Sequence, residues 1–497
     1  MSLLTRPRFV FYVLLANALL HFGLGASLGL TADEAHYALY AAHPALSYYD
    51  HPPLVGWIQW PLVALDAPDG VLRLIPELLW LASALLVMAL ARRLHRLLGA
   101  EGGTSETAAR WALLAYSLAP LPHLLGIGLL PDTLLMFFTA ALMWQTLRLL
   151  EPARARRLPE WLLLGALLGL AGLSKYTAIF AALPVAACLL AAHGARLLRR
   201  IAPWLALLLA VALVLPVFIW NAQNDWASFA YQLHHGAGSH WRFSNLLAFL
   251  LTQLLLYPLL VWGMLGLRRA RPSGGGLLLG FFALPFAVLA YLSGGGSGLP
   301  HWTAPAWVAL TPFAGLGLAA LWTAGRQRLI WLLGSLQLLL TLGLYALMLS
   351  AGPPALRSSG EQPETFNPFT DFHGWDAAGA KAQQRAREHG ITHLAVQNWT
   401  LASRLAWYAR PLPVHVLAPG RDQFAFWAGE LPVGADAIVL DWSQMAYQLP
   451  VGAGQFARCE PLETFAVQRA GRPVAHFSLH LCRGWGGQPA PRRVGEP

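Results

Sequence analysis

The first residues with an evident capacity for chemistry are two adjacent carboxylates, Asp33 and Glu34, in the segment Thr-Ala-Asp-Glu-Ala-His-Tyr that ends at Tyr37. Neighbouring carboxylates repel each other, so one of them is suited to act as a general base or to bind a cation. A solvated loop start is the alternative explanation of the same pattern. We interpret Asp33 and Glu34 as catalytic candidates and Tyr37 as a candidate substrate contact.

A second motif, Tyr-Tyr-Asp-His-Pro-Pro, contains Tyr49, Asp50 and His51. The two prolines fix the backbone and would present Asp50 and His51 rigidly. Aspartate and histidine are also usable metal ligands, although two residues do not complete a metal site. The motif therefore predicts a substrate contact at Tyr49 and an anion contact at His51, with a divalent metal on Asp50 and His51 as an open alternative.

Asp132 and Lys175 each stand where two apolar runs meet. Asp132 follows a proline and would complement a helix dipole, so helix capping is the alternative to a catalytic role. A lysine at a membrane boundary can extend its ammonium group to water, yet the chain has only one other lysine, Lys381. A bound anion such as a phosphate would explain Lys175, and Asp132 is a further catalytic candidate.

Aromatic and amide side chains alternate between Trp220 and Trp241, a mixture that suits stacking on a sugar ring and hydrogen bonding to its hydroxyl groups. An aromatic belt at a membrane surface is the alternative. A later Gly-rich segment ends in a histidine and a tryptophan. These two segments add four candidate substrate contacts, which are Asn221, Gln223, Asp225 and His301.

The composition indicates what must position these residues. Of 497 residues, 56% are apolar and 12% are charged, with a formal net charge of +10. Soluble domains have roughly 25% charged residues, and disorder requires low hydrophobicity with high charge. The chain is therefore predicted to be an α-helical polytopic membrane protein, and nothing in it indicates a nucleic-acid partner.

Apolar runs long enough to cross a bilayer recur over residues 1–350. They predict about eleven transmembrane helices, at 9–30, 71–91, 109–129, 131–150, 160–174, 176–193, 202–220, 245–266, 277–293, 302–323 and 328–349. The same interpretation makes 31–70 and 221–244 outer loops of this membrane domain. The first run ends in an acidic motif, so we expect it to stay uncleaved rather than to act as a signal peptide.

Arginines cluster in alternate connecting segments, and short loops rich in Lys and Arg stay in the cytoplasm. This predicts a cytoplasmic N-terminus, with the candidate residues and the C-terminal part on the outer face. The clustered arginines are Arg6, Arg8, Arg92, Arg93, Arg96, Arg110, Arg148, Arg154, Arg156, Arg157, Arg196, Arg199, Arg200, Arg268, Arg269, Arg271, Arg326 and Arg328.

Residues 351–497 are more polar and predict a small α/β periplasmic domain. An amphipathic helix is expected at 376–390, followed by short strands at 391–397, 412–418, 436–441 and 474–482. Cys459 and Cys482 lie in this domain, where an oxidising compartment would permit a disulfide between them. Two separate thiols are the alternative.

The four motifs around Asp33, Asp50, Asp132 and Lys175 resemble, in order and separation, those of the GT-C integral-membrane glycosyltransferases that use polyprenyl-phosphate sugars. That group includes protein O-mannosyltransferases, aminoarabinose transferases of lipid A, and galacturonosyltransferases of rhizobial lipopolysaccharide. The resemblance covers the whole hydrophobic part and, more loosely, the C-terminal domain.

The resemblance implies a role for each matching residue. Asp33 would be the general base that activates the acceptor, Glu34 its neighbour, and Asp132 a second active-site carboxylate. Lys175 would face the donor phosphate. In the aminoarabinose transferases a Glu-Lys-Pro segment associated with metal and phosphate stands where this chain has Asp50, His51 and a proline, so metal dependence stays open.

These observations predict a membrane glycosyltransferase that moves a sugar from a polyprenyl-phosphate donor to a lipid A, glycolipid, polysaccharide or protein acceptor at the outer face of a bacterial inner membrane. An inverting single displacement is expected, with no cofactor required beyond a possible divalent metal. Membrane lipids are further partners. A flippase or transporter for lipid-linked sugars, and a non-catalytic envelope-assembly protein, are the alternatives.

Overall fold

The computed structural model describes residues 6–237, 240–296, 298–353, 366–489 and 491–494. Its α-helices are α1 Phe9–Ser27, α2 Ala32–Ala42, α3 Leu54–Ala64, α4 Asp69–Leu72, α5 Leu74–Leu97, α6 Ser105–Leu118, α7 Pro120–Ile127, α8 Pro131–Leu149, α9 Leu158–Ser174, α10 Ile179–His193, α11 Ile201–Gln223, α12 Ala227–Ala237, α13 Phe243–Leu256, α14 Pro258–Ala270, α15 Gly280–Ser293, α16 Ala304–Thr323, α17 Gln327–Ser350, α18 Trp375–His389, α19 Trp399–Tyr408 and α20 Gln423–Trp427. The strands are β1 Leu394–Val396, β2 Val414–Val416, β3 Ala437–Trp442, β4 Arg458–Arg469 and β5 Arg472–Arg483. Short 3₁₀ helices include Tyr176–Ala178, Pro300–Thr303 and Pro368–Phe372.

The chain is a polytopic membrane protein. Among the described residues, seven helices are long and apolar enough to cross a membrane, and up to nine spans result if each of two bent helix pairs forms one span. The bent pairs are α7 with α8 (114°) and α13 with α14 (83°). Helices α7, α8 and α14 each have proline in the first turn, where proline starts a helix but cannot continue the preceding one. The predicted count of eleven is therefore not confirmed.

The chain folds as two compact units, each assembled from segments that are distant in sequence. The helical unit comprises Met1–Gly23, Ala45–Ile58 and Arg73–Leu342. The mixed unit comprises Leu24–Pro44, Gln59–Leu72 and Gly343–Pro497. The mixed unit thus combines segments of the predicted first outer loop with the C-terminal part of the chain, and it contains α2 and α4.

Helix α16 is the buried centre of the helical unit, with all of its apolar span enclosed. It approaches α14 so closely that a Cβ atom on Gly317 would lie 1.8 Å from the carbonyl oxygen of Gly263. Small residues allow such backbone contact between membrane helices, where dispersion and packing replace the hydrophobic effect as the main attraction. This packing therefore holds α16 against α14, and the 3₁₀ helix Pro300–Thr303 leads directly into α16.

The mixed unit contains a five-stranded sheet in the order β2-β1-β3-β5-β4. Strand β1 pairs in parallel with β2 and β3, whereas β5 pairs antiparallel with β3 and β4. The predicted amphipathic helix at 376–390 is α18, and the predicted α/β character is confirmed. Strand β4 was not expected, because it is a partly exposed edge strand rich in charged side chains.

A disulfide joins Cys459 to Cys482, and the two residues lie directly opposite each other in the β4–β5 pair. Their Cα atoms are 4.1 Å apart. The third cysteine, Cys188, is a buried free thiol in α10 of the helical unit. The bond therefore ties the edge strand β4, the last strand in the order of the sheet, to its neighbour β5.

Candidate active site

Asp132 owes its position to the turn before α8. The Thr133 hydroxyl donates to the Gly128 carbonyl oxygen (3.0 Å) and accepts a hydrogen bond from the Leu130 amide (3.2 Å). Pro131 is the first residue of the helix, where its fixed φ angle suits the helical conformation. The turn therefore holds Asp132 at the helix N-terminus, where the helix dipole favours a carboxylate.

Lys175 contacts Asp132 from the break between two helices. It ends α9 in an extended conformation (φ −157°, ψ 143°) before the 3₁₀ helix Tyr176–Ala178. Its Nζ donates to both carboxylate oxygens of Asp132, at 2.8 and 2.7 Å. Lys175 is 8% exposed and Asp132 is 3% exposed. Buried charges are tolerated only when paired, so the ammonium and carboxylate groups stabilise each other here.

Two histidines and a tryptophan surround this pair. His301 Nε2 is 3.8 Å from Asp132 Oδ2, and the Trp302 ring centroid is 5.2 Å from Lys175 Nζ. His51 is close enough to Asp132 for their charges to interact. The helical unit therefore brings together four of the predicted site residues, which come from four separate segments of the chain.

A small apolar groove, with a cavity volume of about 20 Å³, adjoins this cluster. Trp302 both lines the groove and contacts Lys175. Thr177, two residues after Lys175, also lines it. The remaining lining residues are Leu135, Thr139, Ala181, Phe281, Pro285, Leu289, Pro305 and Ala306. A buried cation thus adjoins a small apolar groove.

Tyr49 and Asp50 lie in the same unit. The Tyr49 ring is 4.9 Å from that of Tyr231, and the Asp50 carbonyl oxygen accepts a hydrogen bond from the Gln232 side chain. Within the part of the chain that the structure describes, no group of three or more His, Cys, Asp or Glu side chains could hold a metal ion. The structure adds no third ligand to Asp50 and His51, so the metal site stays a prediction.

The predicted sugar contacts after α11 differ in accessibility. Asn221 is buried, and its side-chain oxygen accepts hydrogen bonds from the amides of Ser228 (3.2 Å) and Phe229 (3.3 Å). These contacts fix the start of α12. Gln223 and Asp225 are exposed. The observed contacts of Asn221 are therefore structural, whereas Gln223 and Asp225 are accessible to a ligand.

Asp33 and Glu34 lie in the first turn of α2, in the mixed unit. The Thr31 hydroxyl accepts from the Glu34 amide (3.2 Å), and the Glu34 carboxylate accepts from the Thr31 amide (3.1 Å). This reciprocal pair is a capping box, and Thr-x-x-Glu is its sequence signature. Glu34 is 6% exposed and Asp33 is half-buried. Glu34 therefore stabilises the N-terminus of the helix, while Asp33 is the more accessible of the two carboxylates.

Tyr37 belongs to the buried face of α2. Its side chain is 5% exposed, and its ring lies edge-on to that of Tyr40 with 5.5 Å between the centroids. His36, on the same helix, contacts Ser403 and Trp399 of α19. The face of α2 that carries His36 is thus packed against the C-terminal part of the mixed unit.

Sequence reasoning missed the ion pair between Arg404 and Asp371. Arg404 lies on α19 with a side chain that is 1% exposed. Burial of this guanidinium lowers its pKa well below the ordinary arginine value, and the negative charge of Asp33 opposes that shift. An arginine between Leu401 and Leu405 on the apolar face of an amphipathic helix was the available signal.

A second missed cluster lies inside the helical unit. His21 Nδ1 is 2.5 Å from a carboxylate oxygen of Glu77, and His21 Nε2 is 2.6 Å from His123 Nδ1. His123 Nε2 donates to the Ser117 carbonyl oxygen at 2.7 Å. All three titratable residues are buried in apolar helices. The sequence feature that could have revealed this cluster is the presence of single ionisable residues within apolar runs. Such residues are rare in membrane helices and are usually functional.

Comparison with known proteins yields matches of two kinds. The sequence profile of the family described as dolichyl-phosphate-mannose-protein mannosyltransferase matches residues 50–220. Over 306 residues the chain is 26% identical to the lipid A galacturonosyltransferase RgtD of Rhizobium johnstonii (strain DSM 114642 / LMG 32736 / 3841). That alignment covers 59% of this chain, and it spans only 61% of the length of RgtD.

Two solved structures share the fold over nearly the whole chain. ArnT from Cupriavidus metallidurans, in the apo state and bound to undecaprenyl phosphate, matches with a TM-score of 0.59 and 16% sequence identity in each case. The matches cover 95% of this chain and 97% and 98% of the two ArnT chains. Together, these matches show that the chain has the fold of ArnT and that its residues 50–220 are similar to the dolichyl-phosphate-mannose-protein mannosyltransferase family.

Proposed function

We propose that this protein transfers a sugar from a polyprenyl-phosphate-linked donor to an acceptor of the bacterial envelope. The donor class follows from the chemistry of the helical unit, and the acceptor class is a lipid A-like glycolipid, a polysaccharide or a protein. The names of its relatives agree with this class, since RgtD is a lipid A galacturonosyltransferase and one ArnT structure contains undecaprenyl phosphate.

One observation carries the proposal. The Trp302 ring contacts the Lys175 ammonium group, and the same residue lines the apolar groove. A polyprenyl phosphate has an anionic head and a hydrocarbon tail, so it needs a cation next to an apolar surface. Lys175 would bind the phosphate, and His51 and His301 would assist in their protonated forms. The start of the tail would lie against the apolar side chains that line this groove on α8, α10, α15 and α16.

The proposed reaction is a single displacement. The acceptor hydroxyl oxygen attacks the anomeric carbon, and its proton passes to the Asp33 carboxylate. The bond between the anomeric carbon and the phosphate oxygen breaks, and its electron pair leaves with the lipid phosphate. Lys175 stabilises the charge that develops on that phosphate, while Asp132 holds the ammonium group in position. Attack opposite the leaving group inverts the anomeric configuration.

We also propose the orientation and the cellular membrane. The N-terminus would lie in the cytoplasm and the C-terminal domain in the periplasm, with the protein in the inner membrane. The clustered arginines support this topology through the positive-inside rule. The disulfide between Cys459 and Cys482 supports it as well, because disulfides persist in oxidising compartments.

A test in detergent micelles separates transfer from transport. Purified protein is incubated with polyprenyl-phosphate sugar and lipid A, and the products are analysed by mass spectrometry. We expect the acceptor to gain the mass of one sugar and free polyprenyl phosphate to accumulate. A flippase would leave both compounds unchanged, because micelles have no second compartment. The assay is repeated with envelope polysaccharide and protein as acceptors, and absence of transfer to all three acceptor classes would overturn the proposal.

The donor and acceptor can be identified in cells. Envelope lipids and glycans are compared between a deletion strain and strains complemented with wild type, Asp33→Asn or Lys381→Met at equal expression. Lys381→Met is a control because Lys381 forms an ion pair with Glu463 in the C-terminal domain. We expect one sugar-sized mass to be lost in the deletion strain, restored by wild type and Lys381→Met, and absent with Asp33→Asn.

A further inference from the structure

The helix that carries Asp33 is tied to the C-terminal domain through its first amide group. The Ala32 amide donates a hydrogen bond to Asp371 Oδ2 at 3.0 Å, across 339 positions of sequence. Ala32 is the first residue of α2 and immediately precedes Asp33. Asp371 lies in the 3₁₀ helix Pro368–Phe372. The direction of the backbone at Asp33 therefore depends on where Asp371 lies.

Asp371 is in turn held by Arg404. The Arg404 guanidinium forms an ion pair with Asp371, and its Nε donates to the Thr400 carbonyl oxygen at 3.1 Å. The guanidinium carbon lies 4.0 Å from the ring centroid of Trp375 and 4.6 Å from that of Trp442. Two aromatic rings and two hydrogen-bond acceptors leave the planar group little freedom to rotate. Asp371 thus has a rigid partner.

Two more contacts fix the segment that leads into α2. The Gly29 amide donates to the Phe372 carbonyl oxygen (3.1 Å), and the Leu30 amide donates to the Tyr408 hydroxyl (2.8 Å). Tyr408 in turn donates to Asp69 at 2.5 Å. A Cβ atom on Gly29 would lie only 3.0 Å from the Phe372 carbonyl oxygen, so this approach favours glycine. The entry to α2 is therefore positioned by the same elements as its first amide.

We propose that Arg404 and Asp371 are positioning residues for Asp33, so that the C-terminal domain sets both the orientation and the charge environment of the base. This inference rests on the proposed function, because it requires that Asp33 accept the proton of the acceptor. The C-terminal domain then has a role in the reaction without supplying a group that touches the reacting atoms.

Several charged groups share this region of the mixed unit, and each affects the outcome. The electrostatic contacts of Arg404 extend to Asp33 and Tyr408, and those of Tyr408 extend to Asp69 and Glu34. Arg410 interacts electrostatically with Asp66 and Asp69, which also belong to the mixed unit. Arg404 is therefore a cation whose charge acts on Asp33 from α19.

The test is the pH dependence of transfer by the purified full-length protein, measured for wild type, Arg404→Gln and Asp371→Asn. A base must be deprotonated, so activity rises with pH along the acidic limb. Arg404→Gln removes a positive charge near Asp33 and should move that limb to higher pH by about 1 pH unit. Asp371→Asn removes a negative charge and should move it to lower pH by a similar amount. A purely structural role would lower activity at every pH and leave the midpoint unchanged.

Controls separate the two proposals. Arg385→Gln removes an arginine that pairs with Glu463 and Glu388 on another part of the domain, and it should leave the acidic limb unchanged. Arg404→Lys keeps the charge and should keep the wild-type midpoint at reduced activity. If Arg404→Gln does not fold, the shift of the limb in Asp371→Asn tests the charge effect. Full activity of Asp33→Asn would refute the role of Asp33 as base. Loss of activity with Asp33→Asn, together with unshifted limbs in both charge variants, would refute only the positioning role.

Discussion

Among the residues that the structure describes, two aspartate–cation pairs with a buried cation are built differently. In the helical unit, Lys175 contacts Asp132 through a flexible alkyl chain and lies beside an apolar groove. In the mixed unit, Arg404 contacts Asp371 while its flat guanidinium is enclosed by two tryptophan rings. The proposed function requires the first pair to exchange one partner for the donor phosphate, whereas the second pair is packed into the domain core.

This difference follows from the two side chains. A lysine ammonium group is a compact charge with three rotatable N–H donors, so it can bind Asp132 and a phosphate in turn or together. An arginine presents a rigid fork whose position depends on stacking and hydrogen bonding. The proposed roles agree with this difference: Lys175 would respond to a ligand, and Arg404 would keep its charge in place.

The largest expected effect comes from Lys175→Met, which removes the responsive charge. Transfer should fall about 1000-fold, since a lost donor to a developing anion costs on the order of 3–4 kcal/mol of transition-state stabilisation. Unfolding in detergent should also become easier by about 3–5 kcal/mol, because Asp132 stays buried without its cation. The measurements are transfer rate and thermal unfolding.

The double variant Asp132→Asn with Lys175→Met is the matched control for that experiment. It removes both charges, so it should recover most of the lost stability without recovering transfer. Retention of more than a tenth of wild-type activity by Lys175→Met would contradict the assignment of Lys175 to the donor phosphate.

Asp441 tests what a buried carboxyl costs when backbone amides stabilise it in place of a cation. The Tyr447 amide donates to it at 3.0 Å, and burial raises its pKa to about 7. A carboxyl whose pKa is raised on folding contributes most below its unfolded value near 4, and this contribution is lost as pH rises to about 7. The loss should be about 4 kcal/mol between those limits, at 1.36 kcal/mol per pKa unit.

Hydrogen exchange of the β3 amides, corrected for intrinsic exchange rates, measures this effect in the full-length chain. The relevant quantity is the difference between wild type and Asp441→Asn, because burial lowers the pKa of His373 to about 4 and gives wild type an opposite pH dependence over the same range. A difference that stays constant from pH 4 to pH 7 would exclude Asp441 as a titrating group.

Glu77→Ala tests a buried acid–base contact that we assign no role in transfer. Its removal leaves His21 with one hydrogen-bonding partner fewer inside the helical unit, and the expected destabilisation is about 3 kcal/mol. The Michaelis constant for the donor should not change. A selective rise in that constant, with no loss of thermal stability, would instead connect the cluster with the donor site. Glu77→Gln, which keeps the side-chain shape, should lose less stability.

The smallest expected effect is that of Tyr408→Phe. The hydroxyl group contacts both Leu30 and Asp69, so its loss should destabilise the mixed unit by about 1 kcal/mol. Tyr12→Phe is the control, because Tyr12 is 56% exposed on α1. Equal thermal unfolding temperatures for the two variants would show that the Tyr408 hydroxyl does not support the entry to α2.

Sequence patterns indicated the fold class because apolar runs and amphipathic periods are local properties. They were less informative about the number of spans, since a proline such as Pro258 bends an apolar run without changing its composition. The edge strand β4 was not predicted for a related reason. Cys459 and its charged neighbours form no continuous apolar face that would indicate a strand.

The candidate site likewise has features that the sequence predicts and features that it does not. Asp132 and Lys175 could be named because each is a single charge at the end of an apolar run. The proposed dependence of Asp33 on Asp371 and Arg404 could not be predicted from the sequence. No local pattern indicates which residues come into contact across more than 300 positions. The capping role of Glu34 could have been anticipated from Thr31 three residues earlier.

The chain of contacts from Glu77 through His21 and His123 to Ser117 has a consequence for charge in the membrane. A carbonyl oxygen only accepts, so His123 Nε2 bears a proton, and each of the other two contacts holds one proton as well. Three protons shared by one carboxylate and two imidazole rings give a net charge of zero, whichever atom of each contact holds its proton. The proton distribution can therefore shift along the chain while three helices stay joined and no net charge is placed in the hydrocarbon.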